Sequence, residues 1–202
     1  ACWGDNSYGQ LGIGSTENIG DEGGEMNGSL ALVDLPSGRI ATQISTGEDM
    51  TCAILEDIWT SARVLACWGR GSHGRLGSES TANMGDEGSE LGDNMNVVSL
   101  GSDLSVQSVA VGDGGSTCAI LRYMSIDTPD IVKCWGAGAS GALGLGDANN
   151  RGDLQFSMGD SLETLDMGSG LYATSLDVGD AFACAVLNNT MLKCWGAGID
   201  GR

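Results

Sequence analysis

Cys2-Trp3-Gly4-Asp5-Asn6-Ser7-Tyr8-Gly9-Gln10-Leu11-Gly12 decides the reading of this chain, because its frame returns. Cys-Trp-Gly stands again at Cys67-Trp68-Gly69, Cys134-Trp135-Gly136 and Cys194-Trp195-Gly196. The first three copies each open a stretch of about sixty residues, the period of a tandem repeat whose units bury their apolar faces against one another. Cys2–Gly47, Cys67–Gly112 and Cys134–Gly179 superimpose without a gap, which fixes the register. Its columns hold Gly9, Gly74 and Gly141; Leu11, Leu76 and Leu143; Gly12, Gly77 and Gly144; and Asn18, Asn83 and Asn150. A Gly-Asp pair recurs at Gly20-Asp21, Gly85-Asp86 and Gly152-Asp153. Glycine columns that never drift point to turns with positive φ or close backbone approach, and the apolar columns, such as Met26/Leu91/Met158 and Ile44/Val109/Leu176, point to a core.

Further along each unit comes Cys-Ala-apolar-Leu, at Cys52–Leu55, Cys118–Leu121 and Cys184–Leu187, which reads as a buried strand. The last unit returns to Cys-Trp-Gly through Asn188-Asn189-Thr190, a hairpin signature, whereas the earlier units insert extra residues at the same point. Insertions confined to one place in a repeat map to one rim of the assembled array. No window carries helical apolar spacing, and 34 glycines interrupt every candidate. The expectation is therefore all-β, with blades of four antiparallel strands.

Residues 2–12, together with the Gly-x4-5-Cys-Ala-x-Leu segments and the frames Gly74-Arg75-Leu76-Gly77 and Gly141-Ala142-Leu143-Gly144, resemble the repeat of the regulator of chromosome condensation family. The resemblance implies a β-propeller of about seven blades, which at this repeat length takes roughly 400 residues. The expected division is three units, 2–66, 67–133 and 134–193, and a partial unit 194–202, within one propeller segment. A segment of a longer protein is expected, since three open blades would leave strand edges bare.

Formal charge is −18, from 27 acidic and 9 basic side chains distributed over all units. Nucleic acid is excluded as a partner on this ground, because phosphate binding needs clustered basic residues, and the only lysines are Lys133 and Lys193. An acidic surface keeps a protein soluble and suits basic partners or cations. No apolar stretch is long enough for a membrane-spanning helix.

Of the seven cysteines, six fall in pairs, Cys52 with Cys67, Cys118 with Cys134 and Cys184 with Cys194. Folding the chain at residues 188–190 sets Cys184 opposite Cys194, a placement that suits a cross-strand disulfide over buried free thiols. Cys2 is then left over, its partner expected upstream. Zinc lacks a Cys-x2-Cys spacing and finds a single histidine, His73. Disulfides place the expectation outside the cytosol, at the cell surface or beyond it. Asn27-Gly28-Ser29 and Asn188-Asn189-Thr190 are glycosylation sequons, making Asn27 and Asn188 candidates.

Arg151-Gly152-Asp153 has the form of an adhesion tripeptide, but its Gly-Asp belongs to the repeat column. Asp147, Asn149 and Asp153 resemble the start of a calcium loop; Arg151 and Met158 then occupy ligand positions, so a turn stabilised by Asn and Asp is the better reading and calcium a weak candidate. Trp59 and Tyr123 lie in the inserted tips, outside the repeat frame, and are candidate contact residues. One histidine in a glycine-rich turn supports no nucleophilic arrangement, and neither a catalytic residue nor a cofactor is assigned. The functional expectation is a non-enzymatic interaction or structural module of a secreted or cell-surface protein, within a larger assembly or filament. The alternatives are an intracellular guanine-nucleotide exchange regulator of a small GTPase, which the family resemblance implies, and a propeller-type inhibitor of an enzyme.

Overall fold

The computed structural model describes residues 1–198; Ile199 to Arg202, the end of the expected partial unit, lie outside the described residues. Nine strands form three separate three-stranded antiparallel sheets. The first holds β1 (Arg39–Thr46), β2 (Met50–Asp57) and β3 (Arg63–Gly69). The second holds β4 (Leu104–Val111), β5 (Ser116–Tyr123) and β6 (Ile131–Gly136). The third holds β7 (Ala173–Val178), β8 (Phe182–Leu187) and β9 (Leu192–Gly196). Cys-Ala-x-Leu lies in the middle strand and Cys-Trp-Gly ends the third. Each sheet thus straddles a boundary between repeat units counted from Cys-Trp-Gly.

The expected fourth strand is present only in fragments on the free edge of the third strand. Ala66 bridges to Val97, Gly69 to Met84 and Gly136 to Arg151. Val98 N–H donates to Leu65 O at 2.8 Å, and Leu165 N–H to Val132 O at 2.9 Å. Short 3-10 turns at Gly88–Glu90, Gly92–Asn94 and Gly159–Ser161 interrupt these stretches, so their ladders never become continuous. The fragments still cover an edge that would otherwise be open to pairing.

Cross-strand register sets Cys52 opposite Cys67, Cys118 opposite Cys134 and Cys184 opposite Cys194. All three pairs are disulfides, with Cα atoms 4.1 Å apart. In the chain-entropy account a bridge over a loop of this size stabilises by about 3 kcal/mol before strain. Each first strand carries a bulge in the same column, at Ala41/Gln43, Val106/Ser108 and Ala173/Ser175. The hydroxyls of the bulged Thr42 and Thr174 donate to Ile54 O and Val186 O, across to the second strand.

Sheets stack face to face, and the core lies between them. Met50, Ile54 and Leu65 of the first sheet meet Val109, Leu121 and Trp135 of the second. A second cluster joins Ile120, Val132 and Cys134 to Ala173, Val178 and Ala185.

The repeat columns make the joint. Trp68 Nε1 donates to Gln10 O at 3.0 Å, Trp135 Nε1 to Arg75 O at 3.1 Å and Trp195 Nε1 to Ala142 O at 3.0 Å. Each indole thus reaches back to the same position in the preceding repeat. Gly12, Gly77 and Gly144 lie beneath these indoles with positive φ; a Cβ on them would stand 2.7 to 2.9 Å from the indole nitrogen. Gly9 and Gly74 abut the backbone of Gly85-Asp86 and Gly152-Asp153, where a Cβ would fall 2.4 and 2.2 Å from the amide nitrogen. A side chain at either position would force two backbones apart.

Candidate functional site

The three hairpins between second and third strands hold the same place in their sheets, and each is fastened to the loop before its own sheet. In the first, Ile58 N–H donates to Gly38 O at 3.0 Å. In the second, Met124 N–H donates to Asp103 O at 2.9 Å, and in the third, Asn188 Nδ2 donates to Gly170 O at 3.2 Å. Gly38, Asp103 and Gly170 share a column and have φ of 72°, 60° and 71°, which aims each carbonyl at the tip. The Asp103 side chain adds to the mount, its carboxylate accepting from Ser125 N–H at 3.2 Å and from the Ser125 hydroxyl in the tip. Sequence reasoning missed this mount; the signal was a column of two glycines and one aspartate just before the first strand.

What the mounts carry differs. Trp59 lies against Gly38, close enough that a Cβ there would be 2.1 Å from the ring, yet it is 77% exposed. Asp57 fixes its backbone: the carboxylate accepts from Trp59 N–H at 3.0 Å, Thr60 N–H at 2.8 Å and the Thr60 hydroxyl at 2.9 Å. Led by the Thr60 amide, these bonds hold the Asp57 carboxyl below the usual aspartate range. In the second tip Tyr123 is half-buried, while Met124 and Ile126 are exposed. Arg122 closes that hairpin with two bonds to Asp130, 2.8 and 2.9 Å. Beside it runs an open groove of about 550 Å³, walled by Tyr123, Ile126, Pro129, Leu165 and Leu171, with Asp166 at its margin. The third tip exposes Met191.

The remaining candidates occupy structural positions. Asp147 accepts from Arg151 Nη2 at 2.9 Å and Asn149 N–H at 2.9 Å, so the calcium-like loop is a closed turn, and Arg151 lowers the Asp147 pKa. Among the described residues no group of three His, Cys, Asp or Glu is placed to hold a metal. Gly152 of the adhesion-like tripeptide is buried beneath Gly74. His73 is exposed, with Nδ1 3.4 Å from Asn150 Nδ2. Cys2 carries a free thiol, half-buried, whose pKa burial pushes up. No described helix is long and apolar enough to cross a membrane.

The family description "Regulator of chromosome condensation (RCC1) repeat" matches residues 2–54. No curated protein matches the chain in sequence. Among solved structures, a chain in the crystal structure of Kap60 bound to yeast RCC1 (Prp20) aligns with a TM-score of 0.63 at 19% identity, over 97% of this chain and 39% of that one. The structure of Prp20p from Saccharomyces cerevisiae aligns with a TM-score of 0.53 at 17% identity, over 78% of this chain and 33% of that one. The chain therefore spans well under half the length of either. At these identities the likeness is one of fold: an all-β array of antiparallel sheets resembling part of the RCC1 β-propeller, with an RCC1-type repeat at its head.

Proposed function

We propose that this chain is a non-enzymatic protein-interaction module, a disulfide-braced propeller segment of a secreted or cell-surface protein that binds through the rim of its hairpin tips. The observation that carries the reading is the contrast at that rim. Trp59, Met124, Ile126 and Met191 are exposed on hairpins whose strands include fully buried positions and whose backbones are fastened by repeated hydrogen bonds. Exposed aromatic and thioether side chains on a fastened backbone suit a contact surface, the tryptophan because it has few rotamers to lose and the methionines because they adapt to the surface they meet. A charge of −18 supports a partner surface that is basic around an apolar centre. Three bridged cysteine pairs support an oxidising compartment.

Two measurements test this. Thiol counting on denatured, unreduced protein should find one reactive group, Cys2, and seven would overturn the compartment. Sedimentation velocity at high salt, which screens the repulsion between copies of charge −18, should show concentration-dependent association that is lost in Trp59→Ser/Met124→Ser/Met191→Ser while the melting transition is kept. A wild-type chain that stays monomeric at high concentration would remove self-assembly from the reading. Guanine-nucleotide exchange has only the likeness of fold behind it, and enzyme inhibition has less.

A further inference from the structure

Two columns of the loop after Cys-Trp-Gly change character from the first unit to the second. In the first, Gln10 and Asp5 satisfy each other: Gln10 Nε2 donates to Asp5 Oδ2 at 2.7 Å, and its Oε1 accepts from Tyr8 N–H at 2.9 Å. Arg75 and Arg70 hold the same columns in the second unit, and Ala142 and Ala137 in the third. In the second unit the carboxylate that accepted is thus replaced by another cation.

Arg75 is only 5% exposed, yet no salt bridge reaches it among the described residues. It is held firmly all the same. Its carbonyl accepts from Trp135 Nε1 at 3.1 Å and from the Thr117 hydroxyl at 3.2 Å, and its Nε donates to Ser72 O at 3.1 Å. The guanidinium lies against Gly115, where a Cβ would stand 2.6 Å from Cζ and Nη2, so only glycine leaves room for it. Of the five N–H donors of an arginine, one is used here. The two Nη groups have no hydrogen-bond partner among the described residues, and neither is sealed from solvent.

The nearby acid is already taken. Asp49 accepts from Arg70 Nη1 at 2.9 Å, and Arg70 Cζ stands 4.9 Å from the centre of the Tyr8 ring. Burial, and after it the charge of Arg70, lower the Arg75 pKa against the pull of Asp49, Glu48 and Tyr8. A desolvated cation with idle donors is costly, and an acceptor brought from outside relieves that cost.

We propose that the Nη edge of Arg75 is a carboxylate-binding site, with Arg70 as a second positive charge and the ligand's oxygens taking the part that Asp5 plays in the first unit. A planar guanidinium matches a carboxylate with two parallel bonds, and one already fixed in place loses little freedom on binding. The site draws on two joined units, through Ser72, Gly115, Thr117 and Trp135. It lies where β3 and β6 end, away from the hairpin tips, and is independent of what they bind. A charge of −18 disfavours an acidic partner surface as a whole, so the ligand is a single carboxylate, either a small free acid or one Asp or Glu side chain of a partner.

Arginine side-chain NMR of the whole chain tests this. Sodium acetate, exchanged for sodium chloride at constant ionic strength, should shift the Arg75 side-chain signals saturably and leave those of Arg63 and Arg122 in place. The same exchange should raise the wild-type melting temperature, and Arg75→Gln, which installs the residue of the first unit, should lose that rise. If Arg75→Gln does not fold, the wild-type titration decides alone. Acetyl-Ala-Glu-Ala-amide that shifts Arg75, where its Gln counterpart does not, assigns the carboxylate to a partner chain; acetate acting alone assigns it to a free acid. Arg75 signals that stay in place with both probes, or a melting temperature that acetate raises equally in Arg75→Gln, overturn the proposal.

Discussion

Trp3 and Trp135 are the same residue in the same column, flanked by the same cysteine and glycine, and they live in different worlds. Trp3 is 63% exposed, whereas Trp135 is fully buried with its indole bonded to Arg75 O. Met26 and Ile44 are likewise exposed, while their counterparts Leu91, Met158 and Val109 are buried. The sequence pattern is constant; the neighbour is not. A unit of this repeat contributes half of each joint, so its apolar columns become core only where another unit supplies the carbonyl, the glycine turn and the partner in a Ser-Asp clamp, Ser37 with Asp93 or Ser102 with Asp160. Stability in such an array is the sum of joints more than of units.

The comparison breaks most visibly at the tryptophans. Trp135→Ala should cost about 3–5 kcal/mol, the range for emptying a fully buried aromatic site. Trp3→Ala in the chain of residues 1–202 should stay within about 0.5 kcal/mol. Chemical denaturation of the two variants checks this, and equal losses would show that the column acts within its own repeat. Next comes the glycine column. Gly74→Ala combines a left-handed φ with a Cβ 2.2 Å from Asp153 N and should cost about 3 kcal/mol. Gly141→Ala has a similar φ but nothing within 4 Å, and should cost only about 1–2 kcal/mol.

The bridges sharpen the same contrast by chemistry. Cys118 and Cys134 are fully buried, whereas Cys194 is exposed and Cys184 half-buried. Under native conditions a phosphine should open Cys184–Cys194 about tenfold or more faster than Cys118–Cys134, because the inner bridge waits on local unfolding. Peptide mapping after alkylation reads the order, and simultaneous opening would mean that the array unfolds as one unit. The smallest expected effect concerns the clamps. The Ser37 and Ser102 amides hold the Asp93 and Asp160 carboxyls below the ordinary aspartate value. Their contribution is therefore fully present above about pH 4 and is lost as pH falls through the lower, folded-state values. Asp93→Asn/Asp160→Asn should flatten the acid limb of a melting-temperature profile by lowering the neutral value toward the acid one, a small loss at each exposed clamp.

How much of this was legible follows from what a column can say. Paired cysteines, the glycine columns and the Cys-Ala-x-Leu strands are local signals, and they foretold the sheets and the bridges. The fourth strand did not come through as expected, because segments 84–98 and 151–165 carry strand-like apolar residues but turn too often to pair continuously. The direction of the joint was also hidden: nothing in Trp68 says that its nitrogen will seek Gln10, although the fixed spacing of two glycine columns and one Gly-Asp column hinted at a backbone contact between units. Trp59 stood out by lying outside the frame. Its support on Gly38 did not, since that mount joins a residue of the insertion to one of the repeat.

The disulfides also limit how far the molecule can stretch. Each bridge short-circuits the residues between its cysteines, with separations of 15, 16 and 10. At about 3.4 Å per extended residue, that withholds on the order of 50, 55 and 35 Å of contour from a pulling force. Tension applied at the ends would bypass the bridged hairpins but would pull first on Gly38, Asp103 and Gly170, which lie outside the closed loops, so the tips would lose their mounts before their own strands parted.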